Sequence, residues 1–384
     1  MITVSIEAAR NILSSVHGFT MMKSGIEGTL EIFGKHQCVQ SDPIEVMGTN
    51  ADLTLHSRIS DYKQKYLDEL LYENRNLFEY YLKAFSIQPM EKYPFFCYLR
   101  NQLSQKHASF FTKYERETNT LLEMMESEPV ASRDITGWEK PQGERIPLPR
   151  MILGRLWACG KTLIHHRKGA IKYYTLSDDI VPQKYLYEVP DEECIKEMVR
   201  ILVRAARLVS PSGCAELWHF VGNTQKVRIL LKTLEKEGDI FQLQINGYRN
   251  KLIAPVEDKE IWESPYSLNT DFIRFLAPLD PLNWNRALFK AIYEIEYSWE
   301  AYKKPKDRKY GYYCLPILYN GDIVGLIEPF FRKKDRIIEI RSFHVLKVDF
   351  DRTKFKNALN EELQRFSENL KAKGLEFKCN LEIS

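Results

Sequence analysis

The sequence lacks most of the features that assign a chemistry at sight. Its 384 residues hold seven cysteines but no CxxC pair. Cys38, Cys97, Cys159, Cys194, Cys214, Cys314 and Cys379 are scattered and odd in number. That pattern argues against a disulfide framework and a structural zinc, and fits free thiols in a reducing compartment. The eight histidines include no HExxH. His165 and His166 are adjacent, and neighbours on a strand point to opposite faces, which argues against a metal pair there. Neither a Walker-type loop nor GxGxxG occurs, so no metal or nucleotide cofactor is expected. No apolar run approaches the roughly 18 residues of a membrane span. The opening MITVSIEAARNILSSV lacks the basic and then apolar order of a signal peptide and reads as the first helix of the fold. A cytoplasmic chain with no membrane partner is the expectation. Nothing demands a dimer, so a monomer is expected.

Net charge is also nearly missing, at +3, with 44% hydrophobic and 28% charged residues. These are ordinary values for a globular protein, and the length predicts two to four folded units. Charge distribution says more than the total. Arg167-Lys168, then Lys303, Lys304, Lys306, Arg308 and Lys309, then Arg332, Lys333, Lys334 and Arg336 form local basic clusters. Each fits a solvated face, and only a shared surface would make a phosphate-tracking groove.

A weak internal repeat is present. The segments GIEGTLEIFGKHQCVQ (25–40), PRMILGRLWACGKTLIHH (149–166) and KVRILLKTLEKEGDIFQL (226–243) share a helical apolar period, a glycine and a short apolar strand. Gly34, Gly160 and Gly238 are expected to end the three helices, where positive φ suits glycine. In the second and third copies a hairpin follows, with Lys168-Gly169 and Asn246-Gly247 as turn signals. Helical stretches lie upstream at 119–135 and 194–220, and Ser132 and Ser212 are placed to cap a second helix in each unit. Helix, helix, helix, hairpin is the winged-helix order, although any α+β protein contains some helix–Gly–hairpin segments.

The tail differs. From Trp262 onward aromatic and β-branched residues dominate, and Tyr319-Asn320-Gly321-Asp322 puts Asn-Gly between two apolar strands. A last amphipathic helix over 352–372 carries Phe355, Leu359, Leu363 and Phe366 on one face. The predicted class is α+β: three tandem winged-helix units (1–110, 111–188 and 189–261) and a C-terminal β-rich, barrel-like domain over 262–384.

Five motifs carry a resemblance, three of them within the first 80 residues. Those three are Gln40-Ser41-Asp42, then Ser57-Arg58-Ile59-Ser60-Asp61-Tyr62, then Leu77-Phe78-Glu79-Tyr80. Further on stand Pro278-Leu279-Asp280-Pro281-Leu282-Asn283-Trp284-Asn285-Arg286 and Tyr310-Gly311-Tyr312-Tyr313-Cys314-Leu315-Pro316. Together they resemble the YcaQ/AlkZ-type winged-helix DNA glycosylases, in the branch whose catalytic motif is Gln-x-Asp. The resemblance runs from about Ala8 to about Arg336. Two departures stand out: Ser41 where the family has an apolar residue, and Glu328-Pro329-Phe330-Phe331 where it has Asp-Pro and then Lys.

The resemblance implies a DNA repair enzyme that hydrolyses the N-glycosidic bond of an alkylated base, an N7-alkylguanine type or an interstrand crosslink, in double-stranded DNA. An N7-alkylated purine is already cationic, so the protein need only stabilise an oxocarbenium-like sugar and deliver water. Asp42 is then the general base or electrostatic stabiliser and Gln40 holds the water. Positions two apart on an extended segment share a side, and Pro43 stiffens the segment after them. DNA contact is expected from His165, His166, Arg167 and Lys168, from Lys303, Lys304, Lys306, Arg308 and Lys309, and from Arg332, Lys333 and Lys334, with Arg58 facing the site. On the residues alone, Asp42-Pro43 reads first as a turn starter and Gln40 as a solvated strand residue. A winged-helix regulator without chemistry is the alternative, since fold does not dictate function.

Overall fold

The computed structural model describes residues 2–211, 215–264, 267–268 and 271–380. The chain divides into two compact units, Met1–Leu67 with Val199–Ser384, and Asp68–Met198. The first unit opens with β1 (Ile2–Val4), α1 (Ile6–Val16), α2 (Gly25–His36), β2 (Val39–Gln40) and α3 (Asn50–His56), and α4 (Gln64–Asp68) runs to the division. The second unit holds β3 (Leu77–Tyr81), β4 (Phe85–Pro89), α5 (Cys97–Lys113), α6 (Glu115–Met125), α7 (Leu148–Ala158), β5 (Thr162–Lys168), β6 (Ile171–Leu176) and α8 (Ser177–Ile180). Helix α9 (Asp191–Ala206) crosses the division. The first unit then resumes with α10 (Thr224–Glu237), β7 (Ile240–Ile245), β8 (Leu252–Pro255) and α11 (Lys259–Glu263). It finishes with β9 (Ile273–Phe275), α12 (Arg286–Tyr293), β10 (Leu315–Tyr319), β11 (Asp322–Arg332), β12 (Ile337–Val345), α13 (Arg352–Asn369) and β13 (Gly374–Phe377).

In the first unit the N-terminus is not all helix. Ile2–Val4 pair in parallel with β7, and Ser5 then caps α1 by accepting from Ala8 N at 3.1 Å. The β-branched run before a Ser cap explains the early strand. Gly34 does not end α2. The helix continues through buried His36, and Gln37 takes the left-handed position (φ 59°) with its N–H on Phe33 O at 2.7 Å. Gly238, by contrast, ends α10 at φ 81° as the spacing predicts. Asn223 caps that helix, and Val209 bridges Ile253 of β8 in antiparallel sense. Ser212 lies outside the described residues.

The C-terminal part of this unit is a curled half-barrel sheet of order β13-β12-β11-β10-β9, antiparallel except for β12–β13. Asn320 and Gly321 take φ of 44° and 85°, the pair of positive values that a two-residue hairpin turn requires. Helix α13 lays Phe355, Leu359, Leu363 and Phe366 on Phe275, Ile317, Ile338 and Ile340. Each such buried side chain contributes about 1.5–3 kcal/mol.

In the second unit, hairpin β3–β4 carries Tyr80, whose ring meets Trp157 at 5.4 Å and Phe96 at 5.7 Å. Helix α6 stops at Met125, well short of 135, because Pro129 disfavours helical angles before it. Val130 then bridges Tyr174 of β6. Ser132 caps no helix, since 132–134 form a turn. Gly160 follows α7 at φ 72°, and the β5–β6 hairpin closes over Gly169. Leu121, Met125, Leu148, Ile152 and Leu156 form a core under it.

Candidate active site

The segment after α2 enters β2 and leaves it at Ser41. Gln40 is 9% exposed, and its side-chain Oε1 is buried with no hydrogen-bond partner among the described residues. Its backbone is fixed from below: Asn50, fully buried, donates from Nδ2 to Gln40 O at 2.8 Å. The same amide accepts from Leu279 N at 2.9 Å through Oδ1. One side chain thereby joins the Gln-x-Asp segment to the Pro278–Arg286 motif.

Regular strand ends at Gln40, so Asp42 belongs to a turn. Asp42 Oδ1 accepts from Ile44 N at 2.9 Å, the local bond of a turn-starting Asp. The turn reading and a chemical role for Asp42 are compatible, because Oδ2 remains at the surface. There it accepts from the Tyr302 hydroxyl at 3.2 Å. The loop beyond is anchored to the sheet, with Phe331 N on Val46 O at 2.8 Å. Gly48 closes it at φ 112°, where an added Cβ would stand 2.7 Å from the Asp52 Cβ.

An aromatic wall stands beside Asp42. Trp299 packs edge-on against Tyr302 at 5.2 Å and against Tyr313 at 5.4 Å. Tyr313 is buried, and its hydroxyl has no partner among the described residues. Burial and then Asp42 push that hydroxyl well above the usual tyrosine range. Two carboxylates clamp the chain that carries these rings. Glu328 accepts from Tyr312 N at 2.7 Å and Tyr313 N at 3.0 Å. Glu300 accepts from Lys303 Nζ at 2.8 Å and from Lys309 N and Tyr310 N at 2.9 Å. Burial pushes the Glu300 carboxyl up, but Lys303 and these backbone N–H groups outweigh it and hold it at about 2.

Arg58 departs from its expected role. It is fully buried, with its guanidinium on Asp280 at 2.7 and 3.0 Å and on Thr54 O at 2.8 Å. Burial puts it out of reach of a phosphate, and it serves the core. Its neighbour in the motif, Tyr62, donates to Asp52 Oδ1 at 2.7 Å, and Asp52 closes a capping box with Thr49 at the start of α3.

The other basic residues fall into two kinds. Lys303, Lys304, Lys306 and Lys309 are exposed on the loop that Glu300 closes, and Arg308 lies over the Tyr312 ring at 4.8 Å. Lys333 and Lys334 are exposed at the β11–β12 turn, Lys333 reaching Glu45 at 2.7 Å. Arg332, in contrast, is held by Asp335, Glu339 and Glu376. In the second unit Lys168 is exposed. Arg167 is committed to Glu79 at 2.6 Å and to Tyr72 at 2.9 Å. His165 and His166 do not diverge. A register shift between Ile164 and His166 brings their Nδ1 atoms to 2.9 Å.

Among the described residues no group of three or more His, Cys, Asp and Glu is placed to hold a metal ion. No helix among them is long and apolar enough to cross a membrane. Sequence reasoning missed Asn50, Tyr302 and Glu300, and met Glu328 only as a departure from the family pattern, not as a clamp on Tyr312 and Tyr313. The exposed Tyr302 heading a lysine run was the one visible signal, since the other three act through distant backbone groups.

A family model described as DNA glycosylase AlkZ-like matches residues 35–369. Among solved structures, the Streptomyces sahachiroi DNA glycosylase AlkZ is similar at a TM-score of 0.64 and 13% identity, covering 98% of this chain and 100% of that one. At that identity the likeness establishes a shared mixed α+β fold.

Proposed function

The chain belongs to the AlkZ-like DNA glycosylase family, and from that premise we propose that it hydrolyses the N-glycosidic bond of cationic alkylated bases, N7-alkylguanines and their interstrand crosslinks, in double-stranded DNA. Gln40 and Asp42 carry the chemistry in this reading. Asp42 stabilises the positive sugar and takes a proton from the attacking water. Gln40 orients that water through its amide. The leaving base is already cationic and departs without protonation.

The observation that carries the reading is the bare Gln40 Oε1. A buried acceptor without a donor costs about 1–3 kcal/mol, and such groups call for a water, a ligand or a catalytic role. Its backbone is held on both sides, by strand β2 and by Asn50, which suits a group that must aim. Ser41, in place of an apolar residue, is half-buried between the two.

The helix–bridge–helix–hairpin segments ending in β5–β6 and β7–β8 are read as winged-helix units, and 1–110 as a third, with 262–384 as the β-rich part. We assign phosphate contact to the exposed Lys168, Lys303, Lys304, Lys306, Lys309, Lys333 and Lys334, with His165, His166 and Arg308 beside them. The protein is taken to act as a monomer in the cytoplasm, on the nucleoid.

The test is base release from duplex DNA carrying one N7-methylguanine or one nitrogen-mustard crosslink, with Asp42→Asn in parallel. Abasic-site formation by the native protein, lost in the variant, is expected. Salt-sensitive binding with no base release from either substrate would instead leave a winged-helix DNA binder.

A further inference from the structure

Tyr302 is 75% exposed, a large ring standing in solvent at the head of a basic loop. That loop is not slack. Glu300, 4% exposed, ties Lys303 at its start to the Lys309 and Tyr310 N–H groups at its end. Arg308 Nε adds a bond to Lys303 O at 3.1 Å. Between these ties the loop presents one aromatic ring and several lysines to solvent. An aromatic face interleaved with cations is the surface that single nucleobases stack on.

The same residue reaches inward. Its hydroxyl donates to Asp42 Oδ2, the oxygen left over once Ile44 N has taken Oδ1. Burial and the Asp42 charge push the Tyr302 hydroxyl up, so it stays a donor at neutral pH. With both oxygens engaged, the Asp42 carboxylate has one orientation, and a second lone pair on Oδ2 is still open to a water. Trp299 backs the Tyr302 ring edge-on and limits where it swings.

We infer that Tyr302 is a positioning residue that couples DNA engagement to Asp42: its exposed ring takes a stacked nucleobase next to the lesion, and its hydroxyl then orients the Asp42 carboxylate. This rests on the reading of Asp42 as the catalytic carboxylate. The stacked base fixes the ring, and the ring fixes the hydroxyl. The hydroxyl already reaches Asp42, and the stacked base holds it there.

The experiment uses the full chain and a duplex with one N7-methylguanine flanked by 2-aminopurine, whose fluorescence reports stacking. Native protein, Tyr302→Phe, Tyr302→Ala and Asp42→Asn are compared for quenching, affinity and single-turnover base release at saturating enzyme. Tyr302→Phe is expected to keep quenching and affinity but to lose about tenfold in rate, since a misaimed carboxylate is costly. Tyr302→Ala is expected to lose the quenching, and about tenfold in affinity as well, the effect of removing one stacked base. The inference is overturned if Tyr302→Ala quenches like the native protein, or if Tyr302→Phe releases base at the native rate. Full base release by Asp42→Asn would sink the underlying reading instead, and the quenching arm would still decide the stacking.

Discussion

Arg58 and Asp280 form a fully buried ion pair, two bonds at 2.7 and 3.0 Å between residues 222 positions apart. The pair joins the Ser57–Tyr62 motif to the Pro278–Arg286 motif, and Arg58 also lies over the Phe19 ring at 4.5 Å. Removing one partner strands the other charge in the core. Arg58→Met or Asp280→Asn is therefore expected to cost about 3–5 kcal/mol in urea unfolding. A DNA-contacting arginine would behave differently. Its loss would leave stability intact and flatten the salt dependence of binding. Measuring both quantities on Arg58→Met separates the two roles.

Asn50 offers a second, more local test. Asn50→Ala removes the bond to Gln40 O and strands Leu279 N. The expected cost is about 1–3 kcal/mol of stability. Base release should fall about a hundredfold at saturating enzyme, because the Gln40 backbone loses its anchor. DNA affinity should hold, since Asn50 is buried and touches no surface. Native base release by a well-folded Asn50→Ala protein would remove Asn50 from the positioning of Gln40.

These two residues also show what a sequence conceals. The α13 stripe and the Asn320-Gly321 turn are local patterns, and local patterns are legible: both stand where spacing and turn chemistry put them. Gly34 misled because a helix ends where its packing ends. His36 still had a buried place to fill, and Gln37 absorbed the positive φ. The histidine doublet misled because one bulge cancels the alternation of a strand. At the site, Gln40 and Asp42 were nameable through resemblance, but Asn50 and Tyr302 act through hydrogen bonds spanning 229 and 260 residues, which no short motif records. Arg58 was misread for a related reason. A basic residue in a motif looks like a DNA contact until its carboxylate partner is seen.

Two buried histidines make stability depend on pH. His17 stacks on Phe19 at 5.7 Å and on His36 at 5.5 Å. Burial, then Arg58 and Arg207, pull both rings well below the ordinary 6.5. The folded chain keeps them neutral, while the unfolded chain protonates them as pH falls through about 6.5. Unfolded protein then binds more protons, so the stabilisation is full above that pH and declines below it. His17→Phe should narrow the gap between urea midpoints at pH 7 and pH 5. An unchanged gap would mean that His17 takes up its proton without unfolding.

The exposed lysines and the committed arginines give opposite expectations, although all are basic residues in basic clusters. Lys304, Lys306 and Lys309 stand in solvent, where pairing with a phosphate releases the counterions condensed on DNA. Changing the three to Gln should reduce the slope of log affinity against log salt by about 0.9 for each phosphate no longer neutralised. Folding stability should stay within about 0.5 kcal/mol, as for most surface changes. Arg167 already spends its guanidinium on Glu79 and Tyr72. Arg167→Gln should leave the salt slope in place and lower stability instead, because Glu79 is buried and loses its counter-charge. A steep fall in salt slope for Arg167→Gln, with lysine variants binding like the native protein, would reverse the assignment, making Arg167 a phosphate contact and the 303–309 loop a solvated face.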